Sequence, residues 1–298
     1  MASHPPPPKS ARPSAGTWLA LGNVVLTLVL TVFVVQWRGE SAEDEQSRAR
    51  EAVTGVARTL AHDVNDDLVR VDGVLKSAVA AFERAPTAPL GPDHPLAAAL
   101  SDLRAGLADA DVLLVCDAQG KVRLGLPKGA PPIDLAGRDF FLAARDAPPA
   151  AALPVVSKPA LGPISAKWGV SIARPLRAPD GTFVGTVHAD LGSAYLAKRL
   201  AAVPLGQDGV VALRTADLLL LARVTTEGVS EEGLGTPTAS SRLKDAVAGQ
   251  PSGGHIVSRS PRDGVVRGVA YQRVAEFPLY VIVGQGTGDA FADVAAKQ

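Results

Sequence analysis

The residues whose types could support chemistry are few, and their spacing narrows what they can do. The five histidines, His4, His62, His94, His188 and His255, are scattered, with no close pair of the kind a zinc site needs. The single cysteine, Cys116, excludes an internal disulfide and a multi-cysteine metal site. It follows the apolar run Val112-Leu-Leu-Val115 and reads as a buried strand thiol. No G-x-S-x-G nucleophile elbow and no Walker phosphate loop occur. Gly284-Gln-Gly-Thr-Gly288 lacks the full dinucleotide fingerprint, and it follows an apolar strand, where it reads as the exit of the chain into a helix. The sequence therefore offers no catalytic constellation and implies no metal and no cofactor; the chain reads as a protein that is not an enzyme. His188 lies on an apolar strand and reads as a satisfied core residue.

The densest set of charged and aromatic side chains is the block from Gly137 to Asp190. It opens with Arg138, Asp139, Phe140 and Phe141 at a helix start and continues through three apolar runs that read as strands. Ala178-Pro-Asp-Gly181 has hairpin chemistry, since proline presets φ and glycine tolerates positive φ. Trp168, within the block, is the only tryptophan outside the N-terminal apolar segment.

Elements on either side must position this block. Thr17 to Trp37 is apolar and uncharged, long enough for the roughly 30 Å hydrocarbon core of a bilayer, with a tryptophan at each end. Lys9 and Arg12 precede it, whereas Glu40, Glu43, Asp44 and Glu45 follow, so the N-terminus is expected inside and the remainder outside. The competing reading, a cleaved signal peptide, would have an apolar region of about 7–15 residues and a small-residue cleavage site. Residues 1–16, with four consecutive prolines, read as a disordered cytoplasmic tail. From Ser41 to Arg84, apolar residues recur in steps of three and four, which predicts one long helix that needs a partner, either the globular part or a second copy. A shorter helix is expected over Leu96–Leu107.

Beyond it, two units repeat one order: a strand pair, a helix, then three strands. The first ends in a helix over Leu191–Leu200; the second starts near Gly206. This predicts an α/β (α+β) protein with two mostly antiparallel, PAS-like sheets in tandem. Thirty basic and thirty acidic residues balance, giving no electrostatic case for nucleic acid.

From about Ser41 to Gly286 the chain resembles the double Cache sensor, the extracytoplasmic ligand module of bacterial histidine kinases, diguanylate cyclases and chemoreceptors. The resemblance rests on Asp134-Leu-Ala-Gly-Arg-Asp-Phe-Phe141, Val156-Ser-Lys-Pro159, Lys167-Trp168, Ser171-Ile-Ala-Arg-Pro-Leu176, Asp180-Gly-Thr-Phe-Val-Gly185 and Leu220-Leu-Ala-Arg223. Arg262-Asp-Gly264, Gly268-Val-Ala-Tyr271 and Phe277-Pro-Leu279 extend it. It departs at Ala216-Asp217, where relatives carry Asp-Gly, so an irregular turn is expected there.

The resemblance implies a stalk (38–92), a membrane-distal pocket domain (93–206), a membrane-proximal domain (207–286) and the start of an exit helix (287–298). It implies a small-solute ligand (an amino acid, amine or organic acid) in the distal domain, held by Arg138, Phe140, Lys158, Trp168 and Asp190. Asp190 matches a position that often holds a ligand amine. An arginine can grip a carboxylate through two hydrogen bonds, and an aromatic face favours an ammonium by about 0.5–2 kcal/mol. Structural roles compete with these: Asp190 as a cap for the next helix, Arg138 as a partner of Asp134 or Asp139, and Trp168 and Phe140 as core.

The implied setting is the bacterial inner membrane, single-pass, with the main domain periplasmic and a homodimer formed through the stalk. Sensors of this type return through a second membrane helix to an output domain, and none follows before Gln298. The chain is then either a standalone sensor with a separate signalling partner or one whose remainder is lost or split off. A solute-binding co-sensor and a ligand-free envelope scaffold stay open as alternatives.

Overall fold

The computed structural model describes residues 15–107, 110–127, 129–148, 152–206 and 208–286, with the backbone alone for 15–46. Two compact units are present, residues 1–51 and 52–298. A single helix, α1 (Ala15–Phe82), covers all but the last two residues of the helix expected over Ser41–Arg84, and the rest of the expected stalk, to residue 92, is not helical. Among the described residues no helix is long and apolar enough to cross a membrane. The span expected at Thr17–Trp37 falls on residues whose side chains lie outside that description, as do the expected tail and the exit helix.

Within the second unit, the three-and-four spacing of α1 translates into burial: Leu60, Val64, Leu68, Val71 and Leu75 are all buried on one face. The helix stops four residues before Pro86. His94 then starts α2 (Pro95–Ala105): its Nδ1 accepts a hydrogen bond from the Leu96 N–H at 3.1 Å. That leaves Nε2 to donate to the Ala85 carbonyl at 3.0 Å, with the ring stacked on Phe82.

The first sheet consists of β1 (Val112–Asp117), β2 (Val122–Leu124), β3 (Val155–Val156), β4 (Ala160–Leu161), β5 (Trp168–Arg177) and β6 (Phe183–Gly192). Its order is β2-β1-β6-β5-β3, with β4 also on β5, and every pairing is antiparallel. Helix α3 (Asp139–Asp146) lies between β2 and β3 in sequence, and α4 (Ser193–Leu200) follows β6. The second sheet holds β7 (Val210–Thr215), β8 (Leu220–Thr225), β9 (Gly228–Val229), β10 (Gly253–Arg259), β11 (Val266–Arg273) and β12 (Leu279–Gly286), with α5 (Ser241–Gly249) before β10. Its order, β10-β11-β12-β7-β8-β9, repeats the logic of the first: the opening strand pairs with the closing strand in the middle, and its own hairpin partner lies outside. The fold is thus α+β with two antiparallel sheets of the PAS-like kind.

Strand alternation separates the faces of each sheet. Val187, Ala189 and Leu191 of β6 join the core that includes α1, α2 and α4, as do Val211 and Leu213 of β7. The opposite faces carry two smaller cores, one built around Phe140 and Phe141 of α3, the other around Leu243 and Val247 of α5. Gly181 sits at φ +86° in the expected hairpin, with its N–H donating to the Ala178 carbonyl at 2.8 Å. At Ala216-Asp217 the turn is indeed irregular. Leu218 takes φ +60°, the β7–β8 register shifts beside Leu213 and Arg214, and the Leu218 side chain is nevertheless buried. An uncommon left-handed leucine is tolerated because its side chain joins the second small core.

Candidate ligand site

On the face of the first sheet turned toward α3, neighbouring strands align three rows of side chains. Cys116 stands beside Thr186, Leu114 beside His188 and Val112 beside Asp190 across β1 and β6; Ala173 and Ser171 extend the last two rows onto β5. The Asp190 carboxylate accepts a hydrogen bond from the Ser171 hydroxyl at 2.6 Å, and its backbone carbonyl accepts from the Asp111 N–H at 2.9 Å. The Ser171 N–H in turn donates to the Ser157 hydroxyl at 2.8 Å.

A narrow cleft with an interior volume of about 10 Å³ opens at this end of the sheet, with Asp190, Ser171, Arg138, Asp111 and Lys167 among its walls. Gly169 and Gly192 belong to it as well. A Cβ on Gly169 would lie 2.4 Å from the Leu191 carbonyl oxygen, and one on Gly192 would lie 2.7 Å from an Asp111 carboxylate oxygen. Gly169 therefore depends on the lack of a side chain, whereas a side chain at Gly192 would displace the Asp111 carboxylate. Lys167 and Asp111 pair with each other at 3.0 Å. Arg138 and Asp190 do not: among the described residues neither is in an ion pair, and the Arg138 guanidinium donates only to the Leu161 carbonyl, at 3.3 Å. The cleft thus presents one carboxylate and one guanidinium that lack opposite charges.

The alternative partners expected for these two residues are taken elsewhere. Helix α4 is preceded by Gly192 as its cap residue, with no side-chain cap bond, so Asp190 does not cap it. Asp134 pairs with Lys121, and Asp139 accepts from the backbone N–H groups of Phe140 and Lys158.

The other expected site residues lie apart. Phe140 is buried, its ring 4.6 Å from that of His188. Lys158 is exposed, its ammonium 3.9 Å from Asp217. Trp168 is half-buried and packs against the small core of the second sheet, its ring over Gly235. Asp111, Ser171 and Lys167 had no role assigned from sequence, although Ser171 and Lys167 fall within the quoted motifs. His188 is fully buried as expected, but among the described residues its Nδ1 has no partner. Burial pushes its imidazole below the ordinary value; Asp190 opposes this and Arg138 adds to it. The residues of the cleft offer no nucleophile–base pair.

Residues 193–284 match the model of a dCache_1-like family described as a histidine kinase sensor domain. Solved structures of like fold extend the comparison over most of the chain. The extracellular domain assigned to the histidine kinase rpHK1S-Z16 is 22% identical, with TM-score 0.69, over 83% of this chain and 98% of that one. The ligand-binding domain of the amino acid chemoreceptor PctB of Pseudomonas aeruginosa PAO1, solved with L-Arg, is 15% identical, with TM-score 0.60, over 83% and 98%. That of the chemoreceptor CtaA of Pseudomonas fluorescens, solved with L-leucine, is 17% identical, with TM-score 0.59, over 84% and 100%. No curated protein matches the chain in sequence. The family match and the shared fold bear out the resemblance to the Cache sensors of histidine kinases and chemoreceptors.

Proposed function

We propose that the chain is a membrane-anchored sensor whose first sheet, the membrane-distal one, binds a free amino acid or a closely related amine in the cleft beside Asp190. The observation that carries this reading is the uncompensated pair in that cleft. Asp190 offers a carboxylate for an ammonium, Arg138 offers a guanidinium for a carboxylate, and Ser171 orients the Asp190 oxygen. Chemoreceptor domains of like fold solved with L-Arg and L-leucine support the same ligand class. The span Thr17–Trp37 supports a single-pass anchor with the N-terminus in the cytoplasm and the sheets in the periplasm. Occupancy shifts the packing of α1 in a homodimer, and a partner carrying the output reads that shift. The ligand must then differ in affinity between the two states.

Thermal unfolding of the detergent-solubilised chain against amino acids, amines and organic acids tests this. A ligand at about 100 times its dissociation constant adds roughly 2.7 kcal/mol. The expected result is a rise in midpoint with an amino acid that Asp190→Ala and Arg138→Ala each abolish while the variant stays folded. A specific ligand indifferent to both changes moves the site elsewhere. No response across the panel favours a ligand-free scaffold.

A further inference from the structure

The second sheet has a covered cleft of its own, on the face that α5 shields. Its interior volume is about 80 Å³, and it opens to solvent on one side, so it admits the charged head of a small ligand with the rest lying toward the mouth. Val210, Ala212, Ile282, Val269 and Ile256 form an apolar floor, and Leu243 of α5 closes over it. The remaining wall is cationic. Arg214, Arg223, Arg262 and Arg267 all contribute, and each guanidinium side chain is almost wholly shielded from solvent.

Two carboxylates serve these four cations. Asp263 accepts two hydrogen bonds from Arg267, both at 2.9 Å, and one from Arg223 at 3.2 Å. Glu232 reaches Arg262 at 3.2 Å, but from a largely exposed position. Arg214 has no carboxylate within ion-pair distance among the described residues; it donates to the carbonyls of Leu218 at 2.7 Å and Thr238 at 3.1 Å. Arg262 donates to the hydroxyl of the same Thr238 at 3.3 Å, so the two guanidiniums meet around one residue. The Nε of Arg262 is buried and has no acceptor among the described residues. Burial, then repulsion from Arg262 and Arg223, pushes the Arg214 guanidinium down to about 10, which leaves it charged at neutral pH. Buried cations in excess of their counter-ions are unfavourable until an anion joins them.

We infer that this second cleft binds a small organic anion. Its carboxylate meets Arg214 and the free Arg262 Nε–H, and its hydrocarbon body lies along the Ala212–Ile282 floor. The apolar floor selects an organic acid over a bare inorganic ion, because phosphate gains nothing from burial against valine and isoleucine. The site is independent of Asp190: a different sheet builds it, with a different charge balance.

The test uses the full chain in detergent, with hexanoate, benzoate and inorganic phosphate as probes. Thermal midpoints and ¹H–¹⁵N spectra of the arginine Nε–H groups are recorded. Hexanoate or benzoate is expected to raise the midpoint and move the Arg262 resonance, with phosphate at least tenfold weaker. Arg262→Met and, as a second variant that keeps every charge, Ala212→Leu are each expected to weaken binding at least tenfold, while Asp190→Ala leaves it unchanged. An equal response to phosphate overturns the organic-acid assignment. Loss in Asp190→Ala with retention in Arg262→Met and Ala212→Leu places the anion in the first cleft and overturns the proposal. No movement of the Arg262 resonance with any probe overturns it too, and leaves the amino-acid reading of the first cleft intact.

Discussion

Asp72 of α1 and Arg174 of β5 grip each other through two hydrogen bonds, 2.5 and 2.9 Å long, in the buried layer between helix and sheet. Arg174 points to α1, whereas the next residue along the strand, Ala173, points to α3 and the ligand face. One strand therefore touches both the cleft wall and the long helix, and this ion pair is the polar bolt between them. Asp67 adds a second, to Arg199 of α4 at 2.6 Å.

Removing one partner of the first pair should be costly. Burial opposes ionisation of Asp72, but hydrogen bonds from Arg174 and Lys76 outweigh it and hold the carboxyl below its ordinary value. Asp72→Ala strands a buried guanidinium, so a loss of about 3–5 kcal/mol is expected in urea unfolding at neutral pH. Because the folded value is the lower one, this stabilisation is complete above the unfolded value of about 3.9 and vanishes as pH falls through the folded one. An Asp72→Leu, Arg174→Met double variant should recover most of the loss. A cost below about 1 kcal/mol for Asp72→Ala, typical of surface pairs, would mean that water reaches the pair.

His188 gives stability the same direction with pH, in a higher window. Its folded value lies below the ordinary 6.5, chiefly through burial. Between the two values the unfolded chain binds more protons, so stability rises with pH there. It is whole above about 6.5 and declines as pH falls below. Replacing His188 with Leu should flatten the dependence between about pH 5 and 7. Unfolding free energies of both proteins at the two ends of that window provide the comparison, and an unchanged slope would assign it to other groups.

Much of this architecture was legible in the sequence, for reasons that also mark where legibility stopped. β5 and β6 are ten residues each, so their alternation declared both the strands and their faces. β9, at two residues, is too short to show a period, and Pro159 falls between β3 and β4. The Asp190 face could be inferred from the same alternation, but its Ser171 partner depends on the β5–β6 register, which is set by the whole hairpin. Trp168 shows the limit most plainly. Its place at the start of a strand was readable, but the direction of its ring, away from the first cleft and onto Gly235, is a contact between distant parts of the chain. The arginine-lined cleft escaped for the same reason: Arg214, Arg223, Arg262 and Arg267 come from three strands and a turn.

Cys116 tests the packing of the first sheet without mutation. It is fully buried, and its Sγ lies 2.8 Å from the Thr186 hydroxyl. Burial raises its thiol above the ordinary value, with the hydrogen bonds it shares with the Thr186 hydroxyl and carbonyl only partly offsetting it. Thiolate is the reactive species, so a disulfide-exchange reagent should label the native chain slower than the urea-unfolded chain by roughly three orders of magnitude or more. Rapid labelling of the native protein would show that the sheet opens locally around β1.

The contact between Trp168 and Gly235 should be intolerant of a single methyl group. Gly235 sits at φ +76°, a conformation that costs an L side chain roughly 1–2 kcal/mol. A Cβ there would also lie 2.7 Å from the Trp168 ring, closer than non-bonded carbons approach. The side chain packs against the small core that includes Leu234 and Tyr271, so it cannot swing aside freely. Gly235→Ala should therefore destabilise by more than the φ penalty alone, about 2–3 kcal/mol. The two components separate in a double-mutant cycle, because Trp168→Leu removes the clash but leaves the φ penalty. If Gly235→Ala costs the same in both backgrounds, the tryptophan does not press on this loop. A smaller cost in the Trp168→Leu background confirms that the start of β5 in one sheet leans directly on the loop carrying Gly235 in the other, next to residues 167 and 169 of the ligand cleft.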